Sequence, residues 1–322
     1  MSRLRAAIDR YLALRRSVGF ELTIARGLLR RFADFADRER AAFVTTGLVL
    51  RWAATFGHVL PSTVARAVSV VRGFAVWQAD LDPRTQPPPA GLVPGRYQRR
   101  RPFLHSDEQI AALVSATARL SSTKGLRGPT YSTFFGLVAA TGLRMSEAVM
   151  LDRCDVDLDE GVLTIRRTKF GKTRLVPLHV TTRAALERYA LQRDAIMRDT
   201  GAPAFFISEA GRRITIWSAR YQFAQVSQRL GHRPSTRELP HRHRYRHGRG
   251  PRLHDLRHRF AARTLLDWYR AGVDVEREIP KLVTYLGHGG VEHTYWYIEA
   301  LPELLQLATE RVLASRSREV TP

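Results

Sequence analysis

The 322-residue chain predicts a mainly helical protein with a small β-hairpin or sheet, an α+β fold. An all-helical N-terminal domain is followed by a mixed C-terminal one. Three observations predict this. Apolar residues recur at helical spacing through residues 1–84, with no alternating pattern to compete. The run Gln86-Pro87-Pro88-Pro89-Ala90-Gly91, with Pro94, Gly95 and Pro102 beyond it, cannot continue a helix and separates two parts. Two β-rich stretches, 162–168 and 173–178, flank a short turn inside an otherwise helical second part.

In chain order, Leu4, Ile8, Tyr11, Leu12 and Leu14 mark a first helix, and Leu28, Leu29, Phe32, Phe35 and Ala36 a second. Thr45-Thr46 offers a cap for a third through Leu48, Leu50, Trp52 and Ala53. Pro61-Ser62-Thr63 opens a fourth through Val71, Phe74 and Trp77. Residues 85–102 read as a stiff linker ending in Arg96, Arg99, Arg100 and Arg101. From 103 onward, Ser106-Asp107-Glu108-Gln109 is a capping-type helix start, and Tyr131 to Ala140 an apolar helix stopped by Thr141-Gly142. The hairpin follows, turning at Lys169-Phe170-Gly171-Lys172. Helices resume from Thr181, and Ala204 to Ser208 reads as a further short strand. Residues 229–252 read as an irregular basic insertion, whose segment 241–250 holds Arg, His and Gly but no acid.

Charge narrows the partner. Lys and Arg number 52 against 30 Asp and Glu, a formal net charge of +22, which points to a polyanion and most often nucleic acid. Only four of the cations are lysines, Lys124, Lys169, Lys172 and Lys281, so each is worth inspecting, because an ammonium gives up a proton where a guanidinium does not. A single cysteine, Cys154, excludes an intramolecular disulfide framework and Cys-cluster metal sites. No run of about 18 apolar residues and no signal-peptide pattern occurs, so a cytoplasmic, nucleoid-associated location and no membrane partner are expected.

Four short segments carry candidate chemistry. In Thr141-Gly142-Leu143-Arg144-Met145-Ser146-Glu147, Arg144 starts a helix with Glu147 one turn on, placed to fork onto an anion or simply to form an ion pair. The hairpin turn clusters two of the four lysines. His254-Asp255-Leu256-Arg257-His258 opens a helix that puts His254 and Arg257 on one face. Tyr285-Leu286-Gly287-His288-Gly289-Gly290 ends a helix, and Thr294-Tyr295-Trp296-Tyr297 lies on the next. Taken singly, each also reads as plain structure.

In this order and at these spacings, Arg144, Lys169, His254 with Arg257, His288 and Tyr297 resemble the active site of the tyrosine recombinases, the phage integrase family. Tyr295-Trp296-Tyr297 and Pro302-Glu303-Leu304-Leu305 resemble members carried on bacterial transposons and other integrative elements. The resemblance covers the whole chain. It implies a helical, SAM-like core-binding domain at 1–84, a linker at 85–102, and an integrase-type catalytic domain at 103–322 that breaks and rejoins DNA. The 229–252 insertion and the long stretch from Arg257 to His288, with Asp274, Glu276, Arg277 and Glu278 in the excess, depart from the minimal pattern.

The resemblance also assigns roles. Tyr297 is the nucleophile of a covalent 3′-phosphotyrosyl intermediate, and Arg144 and Arg257 clamp the phosphate. His254 and His288 donate hydrogen bonds, with His254 a candidate to take the tyrosine proton. Lys169 is the general acid, with Lys172 its competitor, and Glu147 orients Arg144. No metal, ATP or other cofactor is implied. The expected partner is a double-stranded DNA recombination site bound by a homo-tetramer, with or without sister recombinases. A DNA-binding accessory subunit with weak catalysis and a type IB topoisomerase-like enzyme are the alternatives.

Overall fold

The computed structural model describes residues 2–95, 100–166, 173–198, 201–234, 250–287, 289–300 and 302–319. Lys169, Lys172, His288 and most of the basic insertion therefore lie outside the described residues. The chain divides into two compact units, Met1–Arg100 and Arg101–Pro322.

The first unit is four helices around one core. In α1 (Arg3–Ser17), capped by the Ser2 hydroxyl, Leu4, Ala7, Ile8 and Leu12 fall on one stripe and are buried. Leu14 lies two residues past that stripe and is 48% exposed. α2 (Thr23–Arg38) buries Leu29, Phe32, Phe35 and Ala36. α3 (Thr46–Ala54) starts where the Thr45 side chain accepts from the Leu48 N–H, satisfying a donor that the first turn leaves open. α4 (Pro61–Ala79) has Pro61 in its first turn, where the missing N–H is not needed. Trp52 meets Phe32 and Phe56 edge-on at 5.2 and 4.9 Å. The start of the proline-rich stretch is fastened to this unit: the Gln86 N–H bonds to the Val44 carbonyl at 2.8 Å, and Leu92 and Val93 pack on the helical core.

The second unit begins with α5 (Asp107–Ala118), opened by a reciprocal capping box between Ser106 and Gln109. It packs on α6 (Arg127–Thr141), the most buried helix, which places Phe134, Phe135, Leu137 and Val138 at the centre of the core. Gly142 ends α6 in the left-handed region, φ +63°. After α7 (Met145–Met150) come β1 (Val156–Asp157), β2 (Val162–Ile165) and β3 (Arg174–Pro177). These form one antiparallel sheet in that order, with Leu163 opposite Val176 and Ile165 opposite Arg174. β2 and β3 pair antiparallel as the two arms of the expected hairpin, whose turn lies outside the described residues, whereas β1, only two residues long, gives no alternating signal of its own.

α8 (Val180–Ile196) and α9 (Ile216–Arg229) close over this core. The stretch from Ala204 to Ser208 is not a strand of the sheet. It makes two isolated bridges, Asp152 to Ala204 and Ile207 to Arg213, and buries four successive residues instead of alternating faces. The C-terminal part is α10 (Leu253–Arg270), α11 (Val275–Leu286), α12 (Glu292–Ala300) and α13 (Pro302–Glu319). The excess residues before His288 build the start of α11: Asp274 caps it, and Glu278 pairs with Lys281. These helices share a second cluster of Ala261, Leu265, Ile279, Leu282, Leu286, Tyr297 and Leu304. Leu304, near the start of α13, is fully buried in this cluster. Among the described residues no helix is long and apolar enough to cross a membrane.

Candidate active site

The site is built around one helix end. α11 stops at Gly287, φ +65°, leaving the last carbonyls of the helix without intrahelical donors. Three arginines supply those donors, one per carbonyl. Arg174 Nε bonds to Tyr285 O at 2.8 Å, Arg257 Nη2 to Leu286 O at 2.8 Å, and Arg144 Nη2 to Gly287 O. Arg257 Nη1 also donates to Gly142 O, at 2.8 Å. Two left-handed glycines therefore end the helices whose carbonyls hold Arg257. At Gly287 a side chain has no room either, because an added Cβ would stand 2.9 Å from Arg174 Nη1 and 3.2 Å from Arg144 Nη1.

Glu147 is the anion that lets these cations share a small volume. Its Oε1 accepts from Arg144 Nη1 at 2.7 Å and Arg174 Nη1 at 3.1 Å. Its Oε2 accepts from the Arg144 backbone N–H at 3.0 Å and from Arg174 Nη2 at 2.8 Å. Burial opposes the charge on this carboxylate, but the bonds and charges of Arg174 and Arg144 outweigh it and hold its pKa below the ordinary value. Arg144 starts α7 with Glu147 one turn on, as the sequence predicts. The second partner, Arg174 on β3, was invisible as a site residue. The hairpin positions it, and nothing in its local sequence announces the contact.

Arg257 is almost completely buried, 2% exposed. Desolvation and the neighbouring charge of Arg144 bring its pKa down to about 10, still well above neutrality. His254, one turn earlier on α10, is pushed down to about 4 by burial and then by Arg257 and Arg252. At neutral pH it is an uncharged imidazole beside fixed cations.

Tyr297 projects from α12 into the C-terminal cluster and is 1% exposed. Its hydroxyl lies 2.8 Å from Nδ1 of His258, a residue to which the sequence gives no role. The ring of His258 meets that of His254 edge-on at 4.5 Å. Tyr295 is 39% exposed. Of the six predicted site residues, Arg144, His254, Arg257 and Tyr297 are thus drawn to the meeting of α7, α10, α11 and α12, and Lys169 and His288 fall outside the described residues. Among the described residues, no group of three or more His, Cys, Asp or Glu could hold a metal ion.

This cluster of oriented guanidiniums, neutral histidine and buried phenol is suited to phosphoryl transfer, in which equatorial oxygens need cationic donors and an in-line nucleophile. Comparison with known proteins agrees. The model of the phage integrase family matches residues 105–303. The "Putative integrase/recombinase y4rB" of Sinorhizobium fredii is 42% identical over 97% of this chain and 98% of its own length. The tyrosine recombinase XerD of Xanthomonas campestris is 30% identical over 80% of this chain and 73% of its own. Among solved structures, the Tn1549 transposon integrase in complex with transposon right end DNA has the same fold, with a TM-score of 0.65 at 16% identity over 97% of this chain and 100% of that one. A λ integrase dimer bound to a core site gives a TM-score of 0.60 at 16% identity, covering 91% and 76%. The chain belongs to the phage integrase family and is a tyrosine recombinase, a DNA strand-transfer enzyme.

Proposed function

We infer that the chain cuts and rejoins duplex DNA at a specific site through a covalent 3′-phosphotyrosyl intermediate on Tyr297, in the movement of a mobile element. The observation that carries this reading is the convergence of Arg144 and Arg257 on the carbonyls that end α11, in one cluster with Tyr297. Each guanidinium is fixed by its backbone bonds and keeps further N–H donors for the non-bridging oxygens of a phosphodiester. The neutral His254 adds a hydrogen bond without adding charge. Lys169 protonates the leaving 5′-oxygen, and His288 completes the donor set. The tyrosyl phosphodiester retains the energy of the cut bond, so rejoining by a strand hydroxyl needs no ATP, and the cations do the work of a metal.

The same reading makes Met1–Arg100 a DNA-gripping unit, its arginines contacting backbone phosphates without reading sequence. A homo-tetramer on paired sites is the active assembly, by analogy with λ integrase, solved as a tetramer bound to a Holliday junction. The experiment is a nicked (suicide) half-site that traps the covalent adduct. Tyr297→Phe binds the half-site and forms no adduct, while Tyr295→Phe forms it as the parent does. An adduct on the Tyr297→Phe chain overturns the assignment. Relaxation of supercoiled DNA lacking any recombination site would favour a topoisomerase instead.

A further inference from the structure

His258 stands outside the six residues assigned above, yet its imidazole lies against the nucleophile. Its Nδ1 is 2.8 Å from the Tyr297 hydroxyl, and the pair is buried at 6% and 1% exposure. The two rings are 5.5 Å apart at 62°, and Trp296 and His254 flank the imidazole at 5.6 and 4.5 Å. A phenol ionises near pH 10 in water, so at neutral pH it needs a proton acceptor within hydrogen-bond reach. The family resemblance offers His254 for that task. His254 is surrounded by Arg257, Arg252 and Arg144, and with its pKa pushed down to about 4 it is a poor base and a good neutral donor. His258 is already at the hydroxyl. Arg257 is coupled by charge to Tyr297, so a phenolate formed there has a cation to face.

We propose that His258 is the proton acceptor of Tyr297 in the cleavage step, which rests on the reading of Tyr297 as nucleophile. The Oη–H bond breaks as an Nδ1–H bond forms, giving an imidazolium and a phenolate. The phenolate electron pair attacks phosphorus, and the P–O5′ bond breaks with its electrons on the 5′-oxygen, which takes a proton from Lys169. Rejoining runs the same transfers backwards, with His258 returning the proton to Tyr297.

The test is single-turnover adduct formation by the full-length chain on the nicked half-site. In His258→Asn the amide occupies the position of Nδ1 and keeps a hydrogen bond to the phenol but cannot take its proton. Half-site binding, read by fluorescence anisotropy, is expected to be unchanged and the adduct rate to fall about 100-fold. Replacing Tyr297 with 3,5-difluorotyrosine, whose phenol ionises more readily, then recovers most of the loss in His258→Asn and changes the parent rate far less. A parent-like rate in His258→Asn overturns the proposal. So does a slow His258→Asn that difluorotyrosine does not recover, since His258 would then be structural. If His258→Asn fails to bind, the same pair of rates is read in His258→Gln. Dependence of the adduct on Tyr297 is scored separately with Tyr297→Phe, so failure of the His258 assignment leaves the nucleophile standing.

Discussion

Gly287→Ala isolates what the helix end does for the three arginines. The perturbation has two parts. Holding an L-residue at φ +65° costs about 1–2 kcal/mol, whatever surrounds it. The added methyl would also stand 2.9 Å from Arg174 Nη1, 3.1 Å from its Cζ and 3.2 Å from Arg144 Nη1. Guanidiniums at the ends of flexible side chains yield, so the overlap is relieved by moving them several tenths of an ångström rather than by unfolding. The bonds to Tyr285 O, Gly287 O and Glu147 then loosen. Gly272 supplies the control: it sits at φ +72° with nothing within 4 Å of an added methyl, so Gly272→Ala carries the backbone cost alone. Both variants are expected to lose about 1–2 kcal/mol in urea unfolding. Only Gly287→Ala is expected to slow adduct formation on the nicked half-site, by at least about 10-fold and up to the roughly 100-fold that a full 1 Å misplacement in a catalytic constellation costs. A Gly287→Ala chain that matches Gly272→Ala in rate as well as stability would refute the claim that this helix end sets the guanidinium geometry.

Two further outcomes follow from the same geometry. Glu147→Gln leaves Arg144 and Arg174 without the anion between them, and breaking a buried pair of this kind is expected to lower the unfolding free energy by about 3–5 kcal/mol, with the adduct rate falling as well; urea unfolding at neutral pH reads the first effect, and a loss below about 1 kcal/mol would count against the hub. His105 and His254 are both pushed down to about 4, so below pH 6.5 the unfolded chain takes a proton on each that the folded chain refuses until about pH 4. Stability is therefore complete above pH 6.5 and falls with pH, by about 2 kcal/mol per histidine at pH 5. His105 is buried, with neither ring nitrogen bonded among the described residues, so His105→Phe should remove its share of the slope between about pH 7.5 and 5; an unchanged slope contradicts the burial argument.

What the sequence made legible was what short-range physics decides. Thr45, Ser106 and Gly142 read as helix ends because a cap or a left-handed glycine is a local requirement, and each one is found there. Arg144 with Glu147 was readable for the same reason, being one turn apart on one helix. Arg174 was not, because its bonds to Glu147 and Tyr285 span 27 and 111 residues and exist only once the sheet is docked against α7 and α11. His258 was hidden for a related reason. It lies on the helix face that His254 starts, but the His–x–x–Arg box ends one residue before it and its partner Tyr297 is 39 residues on, so only the fold reveals the contact. The spacing of the two histidines carries its own information. His254 and His258 are four residues apart and so share a face, and their rings meet at 4.5 Å. His254, beside Arg257 and Arg252, is held neutral, and His258 one turn on lies against the phenol. Two histidines on one stripe, the first a neutral donor and the second at the phenol, divide donor and acceptor work between them. That division gives the His–x–x–Arg–His spacing a chemical reason that the four-residue box alone does not have.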